Sequence, residues 1–414
     1  MKLSLFIANR IRKTGSRTGG LSSLGTRLAT AAVAVSLAVM VGAIAIANGF
    51  QSEIKGKITG FTGEVILAAP GQKIPSIQHP ISSNLSYWSS LEQMSGIASV
   101  ERVAYLGGMV RNNGEVQGIV FKGVDSLYNL SLFADHLVEG RLPDYTSKKT
   151  STEVLWSKRL ADRLGLSVGD PLTVYFVGDR IRVRKFSLTG LYNLGLNEFD
   201  ELFGVADLRQ LQHLQGWESD QVAAVELHWK SGADYEEALP ELDHIFLEES
   251  TEQDSVVLPQ IIRGNYRHIY DWLDLLDLNV FVILVLMIVV SGFNMISGLL
   301  ILLFEKIQMI GLLKALGMRS RQICSIFVAR GMRIALVGMA AGNAIALLFC
   351  TTQARFQWMG LDPENYFVDH VPIDLPFGAW FAVNALTLLA MFLILWLPTL
   401  FISRVSPART LKVE

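Results

Sequence analysis

The sequence predicts a membrane α-helical bundle of four transmembrane helices, with a large extracytoplasmic α+β domain between helices 1 and 2. Hydrophobic residues make up 50% of the 414-residue chain and charged residues only 18%, below the roughly 25% charge of an average soluble protein. Four long apolar runs stand apart along the chain, and residues 49–277, between the first two, contain none. This composition excludes a disordered or fibrous protein and disfavours a soluble one.

Each of the four runs is long enough to cross a bilayer, which takes about 20 apolar residues in a helix. The runs cover residues 28–48, 278–303, 334–353 and 377–403. The first has an alternative interpretation, because Ala45-Ile46-Ala47 resembles a signal-peptidase site and basic residues precede it. We favour a retained helix, since the leading segment 1–27 and the run itself are both longer than a signal peptide requires.

Charge asymmetry predicts the orientation of these helices. Residues 1–27 carry six Lys and Arg, residues 304–333 carry six and residues 404–414 carry three, whereas residues 354–376 carry one against four acids. Because short cytoplasmic loops are enriched in Lys and Arg, we expect the first three segments, and so both termini, in the cytoplasm. Residues 49–277, with 20 basic and 32 acidic side chains, and residues 354–376 are then extracytoplasmic.

The extracytoplasmic segment mixes strand-like runs with short helical patterns, which indicates an α+β domain. Three segments have helical patterns: Ser157–Leu164, which ends at Gly165, and Asp207–Leu214 and Asp234–Phe246, which each open on a capping Asp. The strand candidates are short β-branched or alternating runs bounded by turn residues. They are Glu64–Ala69, Val100–Val110, Gly118–Val124, Glu153–Trp156, Leu172–Val177, Ile181–Thr189 and Val222–Trp229.

Both ends of this domain are expected to continue the neighbouring membrane helices. Phe50–Phe61 follows the first span with little that would break a helix before Gly60, and Tyr266–Asp277 has apolar residues at helical spacing before the second span. Neither segment contains Pro or a Ser/Gly run, so helical stalks are favoured over flexible linkers.

The sequence contains none of the common catalytic or nucleotide-binding motifs. It has no G-x-x-x-x-G-K-[ST] phosphate loop, no H-E-x-x-H zinc motif and no G-x-S-x-G nucleophile elbow. The seven histidines lack metal-ligand spacing, and Cys324 and Cys350 offer no disulfide or zinc framework. We therefore expect no catalytic site, no metal and no nucleic-acid partner. The spans hold almost no ionisable residues, which mark ion-coupled carriers, so any transport must draw its energy from another subunit.

A basic cluster in the outer domain has two interpretations. Arg180, Arg182 and Arg184 alternate along a predicted strand and so share one side of it, and Lys185 is next to them. The cluster fits a contact with a partner or a lipid phosphate, and it also fits the solvent-facing side of a hairpin.

A short amphipathic helix is predicted after the second span. In Phe304–Met318 apolar residues recur at near-helical spacing, and Gly317 can end the helix. The segment is too short and too charged to span a bilayer. A helix at the cytoplasmic surface is the direct interpretation, and an interhelical turn packed on the bundle is the alternative.

Four segments resemble a known family. Residues 291–331 (SGFNMISGLLILLFEKIQMIGLLKALGMRSRQICSIFVARG) resemble the second span, coupling helix and third-span entry of the FtsX/MacB-type (type VII) ABC transporter permeases. Residues 28–67, including Asn48-Gly49-Phe50, resemble the first span and stalk of the lipoprotein-releasing LolC/LolE family. Residues 157–176 and the closing SRVSPARTLKVE are similar to other segments of that family.

The resemblance implies a permease subunit that extracts acylated lipoproteins from the outer leaflet of the bacterial inner membrane. It also implies an ABC ATPase partner that carries the ATP and Mg, a second permease copy or paralogue, and a coupling helix. The coupling residues expected on this basis are Glu305, Ile307, Met309, Leu312, Lys314, Leu316 and Gly317. The alternatives are MacB-like export of peptides or antibiotics and FtsX-like regulation of a cell-wall hydrolase, although such regulators have smaller outer domains.

The outer domain departs from the family at one hairpin. In the family, one permease has a long hook loop after the VGD-x-x-x-V strand, which recruits a periplasmic lipoprotein carrier. Here Val177 passes to Ile181 through Gly178-Asp179-Arg180 alone, which predicts a tight turn. Recruitment of the carrier by such a hook is therefore not supported.

A lipid-binding cavity is expected between the outer halves of the first two spans, because the implied substrates enter from the outer leaflet. The alternative for each lining residue is contact with bulk membrane lipid or with a neighbouring helix. Ala34, Ala38, Gly42 and Ala45 allow close helix approach or leave room for acyl chains. The expected lining shares one face of each helix: Val39, Ala43, Ala47 and Phe50 on the first, and Phe281, Leu284 and Met287 on the second.

Overall fold

The computed structural model describes residues 21–75, 79–112, 114–177, 180–230, 233, 235–251 and 254–396. These residues form two compact units. The helical unit contains the described residues up to Ser52, then Trp272–Gly360, and the described residues from His370 onward. The outer unit contains Glu53–Asp271 together with Leu361–Asp369. The predicted cytoplasmic tail, 404–414, and most of the predicted N-terminal segment, 1–27, lie outside the described residues.

Four helices in the described part of the chain, α1, α9, α11 and α13, are long and apolar enough to cross a membrane. A short helix, α10, lies between the second and third of them. Helices α1 to α13 are, in order, Leu21–Thr62, Trp88–Gln93, Ser131–Asp135, Lys158–Leu164, Asn197–Asp200, Leu208–Gln215, Tyr235–Glu249, Ile262–Asn265, Arg267–Glu305, Ile307–Ala315, Ser320–Phe356, Pro363–Tyr366 and Phe377–Ile394.

The predicted spans fall on these helices, and the segments predicted to form stalks are helical. Residues 50–61 lie within α1, and residues 267–277 lie within α9, so each stalk is continuous with a membrane-length helix. Helix α13 ends at Ile394, and the end of the predicted fourth span, 397–403, lies outside the described residues.

The segment predicted as a cytoplasmic connection with a coupling helix, residues 304–333, is largely helical. Helix α11 begins at Ser320, well before the third apolar run. Its first turns are helical because Ile323, Ile326 and Phe327 recur at helical spacing and are buried in the bundle. Arg321, Arg330 and Arg333 interrupt the apolar pattern without ending the helix, so charge patterning alone misplaces the helix boundary.

Helix α1 packs against α11 at very short range through small residues. A side chain on Gly338 would place its Cβ 2.8 Å from the main-chain oxygen of Thr30, and one on Gly342 would come within 2.6 Å of the Ala34 oxygen. Both separations are shorter than Cβ atoms tolerate, so only glycine fits. The stripe of small residues predicted on α1 therefore serves close helix approach at Ala34.

The outer end of the first span is covered by the segment that precedes α13. The amide of Asp374 donates to the main-chain oxygen of Ala45 at 3.0 Å. One turn further, Gly49 lies directly under Pro372, and an added Cβ would be only 2.3 Å from the Pro372 oxygen. This contact gives a physical reason for glycine in the Asn48-Gly49-Phe50 segment.

Gly49→Ala is expected to destabilise the helical unit by about 1–3 kcal/mol, because the new methyl group must displace main-chain atoms rather than a flexible side chain. The measurement is thermal unfolding of the full-length protein in detergent. Gly42→Ala is the matched control, since a Cβ at Gly42 meets nothing within 4 Å. Equal melting temperatures for the two variants would contradict this account.

The described residues of the outer unit are built on a mixed sheet of ten strands. Its strand order is β12-β1-β11-β3-β4-β9-β6-β8-β5, with β7 pairing β3 and β8, while β2 and β10 form a separate pair. Pairs β4–β9 and β6–β8 are parallel. Strands β1 to β12 are, in order, Val65–Ala68, Ile81–Ser82, Ile97–Asn112, Glu115–Val124, Leu137–Gly140, Glu153–Ser157, Pro171–Val177, Ile181–Tyr192, Phe203–Asp207, Gln221–Val222, Ala224–Trp229 and Leu258–Ile261.

The strands and helices predicted for this domain are confirmed, with boundaries shifted by a few residues. Ser157 caps α4 by accepting from the amide of Leu160, and Gly165 ends that helix in the left-handed conformation. Asp207 caps α6 in the same manner through the amide of Arg209. The predicted cap at Asp234 lies outside the described residues. Sequence patterns missed β2, β5, β9 and β12, which are short strands without clear alternation.

Candidate functional surfaces

The predicted coupling segment forms a short separate helix, α10, with one buried and one open side. Ile310 and Gly311 are buried in the helical unit, and Met309 and Leu313 pack partly against the same core. On the opposite side Leu312 is 52% exposed. Helix α10 thus combines the two interpretations of this segment: one side packs against the helical unit, and the other side is open.

Helix α10 is shorter than the predicted coupling segment, which runs from Glu305 to Gly317. Glu305 is the last residue of α9, and its carboxylate lies 3.0 Å from the ammonium of Lys306. Leu316 follows the last turn of α10 and is 76% exposed, and Gly317 adopts φ +87°. Lys314, in the last turn, lies where a positive charge suits the helix dipole. Ile307 begins the helix and is half-buried.

The exposed side of α10 is a small apolar surface. Gln308, Leu312 and Leu316 are spaced four residues apart and are all exposed, so they share one face. Ordinary surface helices carry polar residues at such positions. Because the opposite side of α10 is fixed in the core, Leu312 and Leu316 stay exposed. Such an apolar pair is suited to docking in a groove of another protein.

The predicted cavity residues on the first span do not share one environment. Val39 is exposed and Ala43 is half-buried, whereas Ala47 and Phe50 are buried. Phe50 contacts the ring of Trp272 edge-on, with ring centroids 6.3 Å apart. Ala47 and Phe50 are therefore covered within this chain, and the cavity lining stays a prediction.

The predicted cavity residues on the second span are also divided. Phe281 is 62% exposed, while Leu284 and Met287 pack partly against the core of the helical unit. Only 6% of the apolar window of α9 is fully buried within this chain. Such a surface needs lipid or another apolar protein surface to cover it.

The β7–β8 hairpin has the short connection that the sequence predicts. Val177 pairs with Ile181, so three residues join the strands, of which Gly178 and Asp179 lie outside the described residues. Arg182 and Arg184 lie on one side of β8, as expected, and the guanidinium of Arg182 donates to the main-chain oxygen of Leu214. The role of the basic cluster stays a prediction.

Sequence patterns missed a buried charged cluster in the outer unit. Lys122, Glu226 and Glu101 are buried, and His228 lies between the two carboxylates. Glu226 stands between apolar neighbours in β11, so alternation alone gave no reason to single it out. Only the pairing of β11 with β3 and of β3 with β4 brings these residues together.

Together these features define a class: a chain whose described part combines helices long and apolar enough to cross a membrane with a large α+β domain. Residues 26–245, more than half of the chain, match the family model described as the MacB-like periplasmic core domain. Residues 281–407 match the FtsX-like permease C-terminal model. The chain therefore belongs to the family of FtsX-like permeases with a MacB-like periplasmic core domain.

Several curated relatives align along nearly the whole chain. The lipoprotein-releasing system transmembrane protein LolC of Xylella fastidiosa is 23% identical and covers 100% of this chain and 99% of its own length. LolC of Neisseria meningitidis serogroup B is 23% identical with the same coverage. LolE of Haemophilus influenzae is 24% identical over 91% of each chain. The resemblance to the LolC/LolE family expected from the sequence is confirmed.

One solved structure is similar to about half of the chain. The periplasmic region of MacB from Actinobacillus actinomycetemcomitans is 13% identical. It covers 51% of this chain and 95% of that one, with a TM-score of 0.36.

Proposed function

We propose that this chain is a permease subunit of an ABC transporter that extracts acylated lipoproteins from the outer leaflet of the bacterial inner membrane. The observation that carries the proposal is the alignment with lipoprotein-releasing LolC proteins over 100% of this chain and 99% of theirs. An export or hydrolase-regulating role is less favoured, because these full-length relatives are named for lipoprotein release.

The proposed topology has four spans, formed by α1, α9, α11 and α13. Both termini and the segment with α10 face the cytoplasm, and the outer unit lies in the periplasm. The support is the excess of Lys and Arg in residues 1–27, 304–333 and 404–414. A match of residues 26–245 to a periplasmic core domain agrees with the placement of the outer unit.

In this proposal the energy comes from ATP and Mg bound by a partner ATPase. The exposed face of α10, with Leu312 and Leu316, is the proposed contact with that subunit. Each methylene withdrawn from the bilayer costs about 0.8 kcal/mol. Withdrawing two or three acyl chains therefore exceeds what passive release supplies, and ATP-driven closure of the spans could displace the chains.

The exposed apolar side of α9 is the proposed surface for the acyl chains and for a second permease, either a copy or a paralogue. Its composition suits both, since it is apolar and has no charged residue over 278–303. Recruitment of a periplasmic lipoprotein carrier would need a surface other than a long hook, because the β7–β8 connection has only three residues.

Depletion of the chain in its host is expected to trap acylated lipoproteins in the inner membrane. The measurement is the share of an outer-membrane lipoprotein found in separated inner and outer membrane fractions, before and after depletion. An outer-membrane protein without acyl chains is the control and should not move. Unchanged lipoprotein sorting, with loss of peptide export instead, would contradict the proposal and support the export alternative.

A further inference from the structure

The last turn of α1 rests on a buried ion pair in the outer unit. Lys122 on β4 and Glu226 on β11 are fully buried, with Nζ and Oε2 2.7 Å apart. Lys122 also donates to the main-chain oxygen of Phe61, at the end of α1, and to the hydroxyl of Tyr128 at 2.8 Å. The three N–H groups of the ammonium thus have three acceptors. Its charge also lies at the helix C-terminus, where the dipole favours a cation.

The chain leaves α1 through a turn that fits closely against the same strand. Gly63 has φ +72°, and a Cβ there would lie 2.8 Å from the main-chain oxygen of Leu227 on β11. The ring of Phe61 lies under the Lys122 ammonium, with 4.8 Å between Nζ and the ring centroid. The end of α1 is therefore fixed to β4 and β11 by one cation and one close main-chain contact.

A second carboxylate, that of Glu101, lies beside this pair and has hydrogen bonds to only one of its oxygens. One oxygen of Glu101, Oε1, accepts from the hydroxyl of Ser99 at 2.7 Å and from the amide of Asn129 at 3.3 Å. The other, Oε2, is buried without a hydrogen bond, and so is Nε2 of His228, 3.4 Å away. The same Nε2 lies 3.6 Å from Oε2 of Glu226. The imidazole of His228 is thus within ion-pair distance of both carboxylates.

The net charge of the cluster favours a proton over a divalent metal ion as its ligand. Two carboxylates and one ammonium leave one negative charge buried when His228 is neutral, and one proton on His228 cancels it. Glu101, Glu226 and His228 also bring three possible metal-ligand atoms within 4.8 Å of one another. A divalent ion there would lie beside the Lys122 ammonium and leave a net positive charge, which is costly in a buried site.

We propose that His228 is a proton-binding site that completes the joint between the end of α1 and the sheet. When protonated it pairs with Glu101 and Glu226, so that every charge in the cluster has a counter-charge. When His228 is neutral, the negative charge of Glu101 is buried without a counter-charge. The contact between the end of α1 and the sheet then becomes less stable. This inference concerns the outer unit alone and does not depend on the proposed transport function.

The groups around His228 agree on the direction of this effect. Burial lowers the pKa of His228, but the carboxylates of Glu226 and Glu101 outweigh burial and the opposing charge of Lys122, so the pKa is raised. Glu64, in the turn after α1, also acts on His228 through its charge, and the ring of Tyr128 packs edge-on at 6.5 Å. Because an unfolded histidine has a pKa of about 6.5, the stabilisation is fully present below that pH. It is lost as the pH rises through the folded-state pKa.

The test is hydrogen exchange of the full-length protein in detergent between pH 5.5 and 8.5, corrected for the intrinsic pH dependence of exchange. Protection of the peptide that covers residues 54–63 is expected to be highest at pH 5.5 and to fall as the pH rises through the raised folded-state pKa of His228. In Glu101→Gln the cluster is neutral without the proton, so the same peptide should keep constant protection.

Two further variants complete the test. His228→Gln should also remove the pH dependence, and His244→Gln is the matched control, because His244 is an exposed histidine of the same unit. A full wild-type pH dependence in Glu101→Gln would overturn the proposal even if His228→Gln fails to fold. Loss of that dependence in His244→Gln would overturn it equally.

Discussion

Leu312→Asp is expected to abolish coupling to an ATPase subunit while leaving the permease folded and inserted. Leu312 is 52% exposed within the chain, so the carboxylate meets water and not the core in the isolated subunit. In an apolar groove of a partner the same carboxylate would be buried unpaired, at a cost of several kcal/mol. At about 1.4 kcal/mol per tenfold in affinity, this predicts binding weaker by at least about a hundredfold. The measurement is the amount of ATPase that co-purifies from detergent, together with ATP turnover.

Two variants separate this effect from a general loss of structure. Leu247→Asp places the same charge on an exposed leucine of the outer unit and should leave co-purification unchanged. Ile310→Asp changes the buried side of α10 and should lower the melting temperature, which Leu312→Asp should not. If Leu312→Asp retains the ATPase and its turnover, α10 is a passive connection between two spans.

The contrast between these two sides of α10 shows where sequence patterns stop. Ile307, Ile310 and Leu313 form one apolar set and Met309, Leu312 and Leu316 form another, and nothing in the spacing distinguishes them. The structure buries Ile310 and opens Leu312 because the helix turns back onto the bundle between two long helices. The existence of the helix was therefore predictable, and its free side was not.

In the outer domain, too, local sequence patterns predict some strands and helices and miss others. Strands with a strong alternating pattern, such as Ile181–Tyr192, and helices with a capping residue, such as Leu208–Gln215, follow from local physical chemistry. Strand Phe203–Asp207 is only five residues long and fully buried, so it has no alternation to detect. Its parallel pairing with β4 is a long-range contact that local patterns do not encode.

The positions of the buried charges also could not be predicted from the sequence. Alternation predicts that polar residues in strands face solvent, yet Lys122 and Glu226 are fully buried against each other. Each is tolerable only because the other is present at hydrogen-bond distance, and they are separated by some hundred residues of chain. A buried ion pair of this kind is a weak source of stability, but breaking it by removing one partner is strongly destabilising.

For the predicted cavity, helical periodicity placed Val39, Ala43, Ala47 and Phe50 on one face. The structure leaves only the first two accessible, and Phe50 packs edge-on against Trp272. On α9 only Phe281 of the three predicted residues is exposed. If acyl chains bind between the first two spans, they should therefore contact Val39, Ala43 and Phe281 rather than Ala47 or Phe50.

Ala43→Trp is expected to block lipoprotein release, because the indole would occupy the space that an acyl chain needs beside a half-buried alanine. A photoreactive residue at 43 or 281 should crosslink to an acylated lipoprotein, whereas one at buried position 50 should not. Leu348→Trp is the matched control, since Leu348 is an exposed apolar residue of α11, where bulk lipid accommodates a large ring. Intact release in Ala43→Trp, together with crosslinks from 43 and 281 to phospholipid alone, would place the acyl-chain path elsewhere on the bundle.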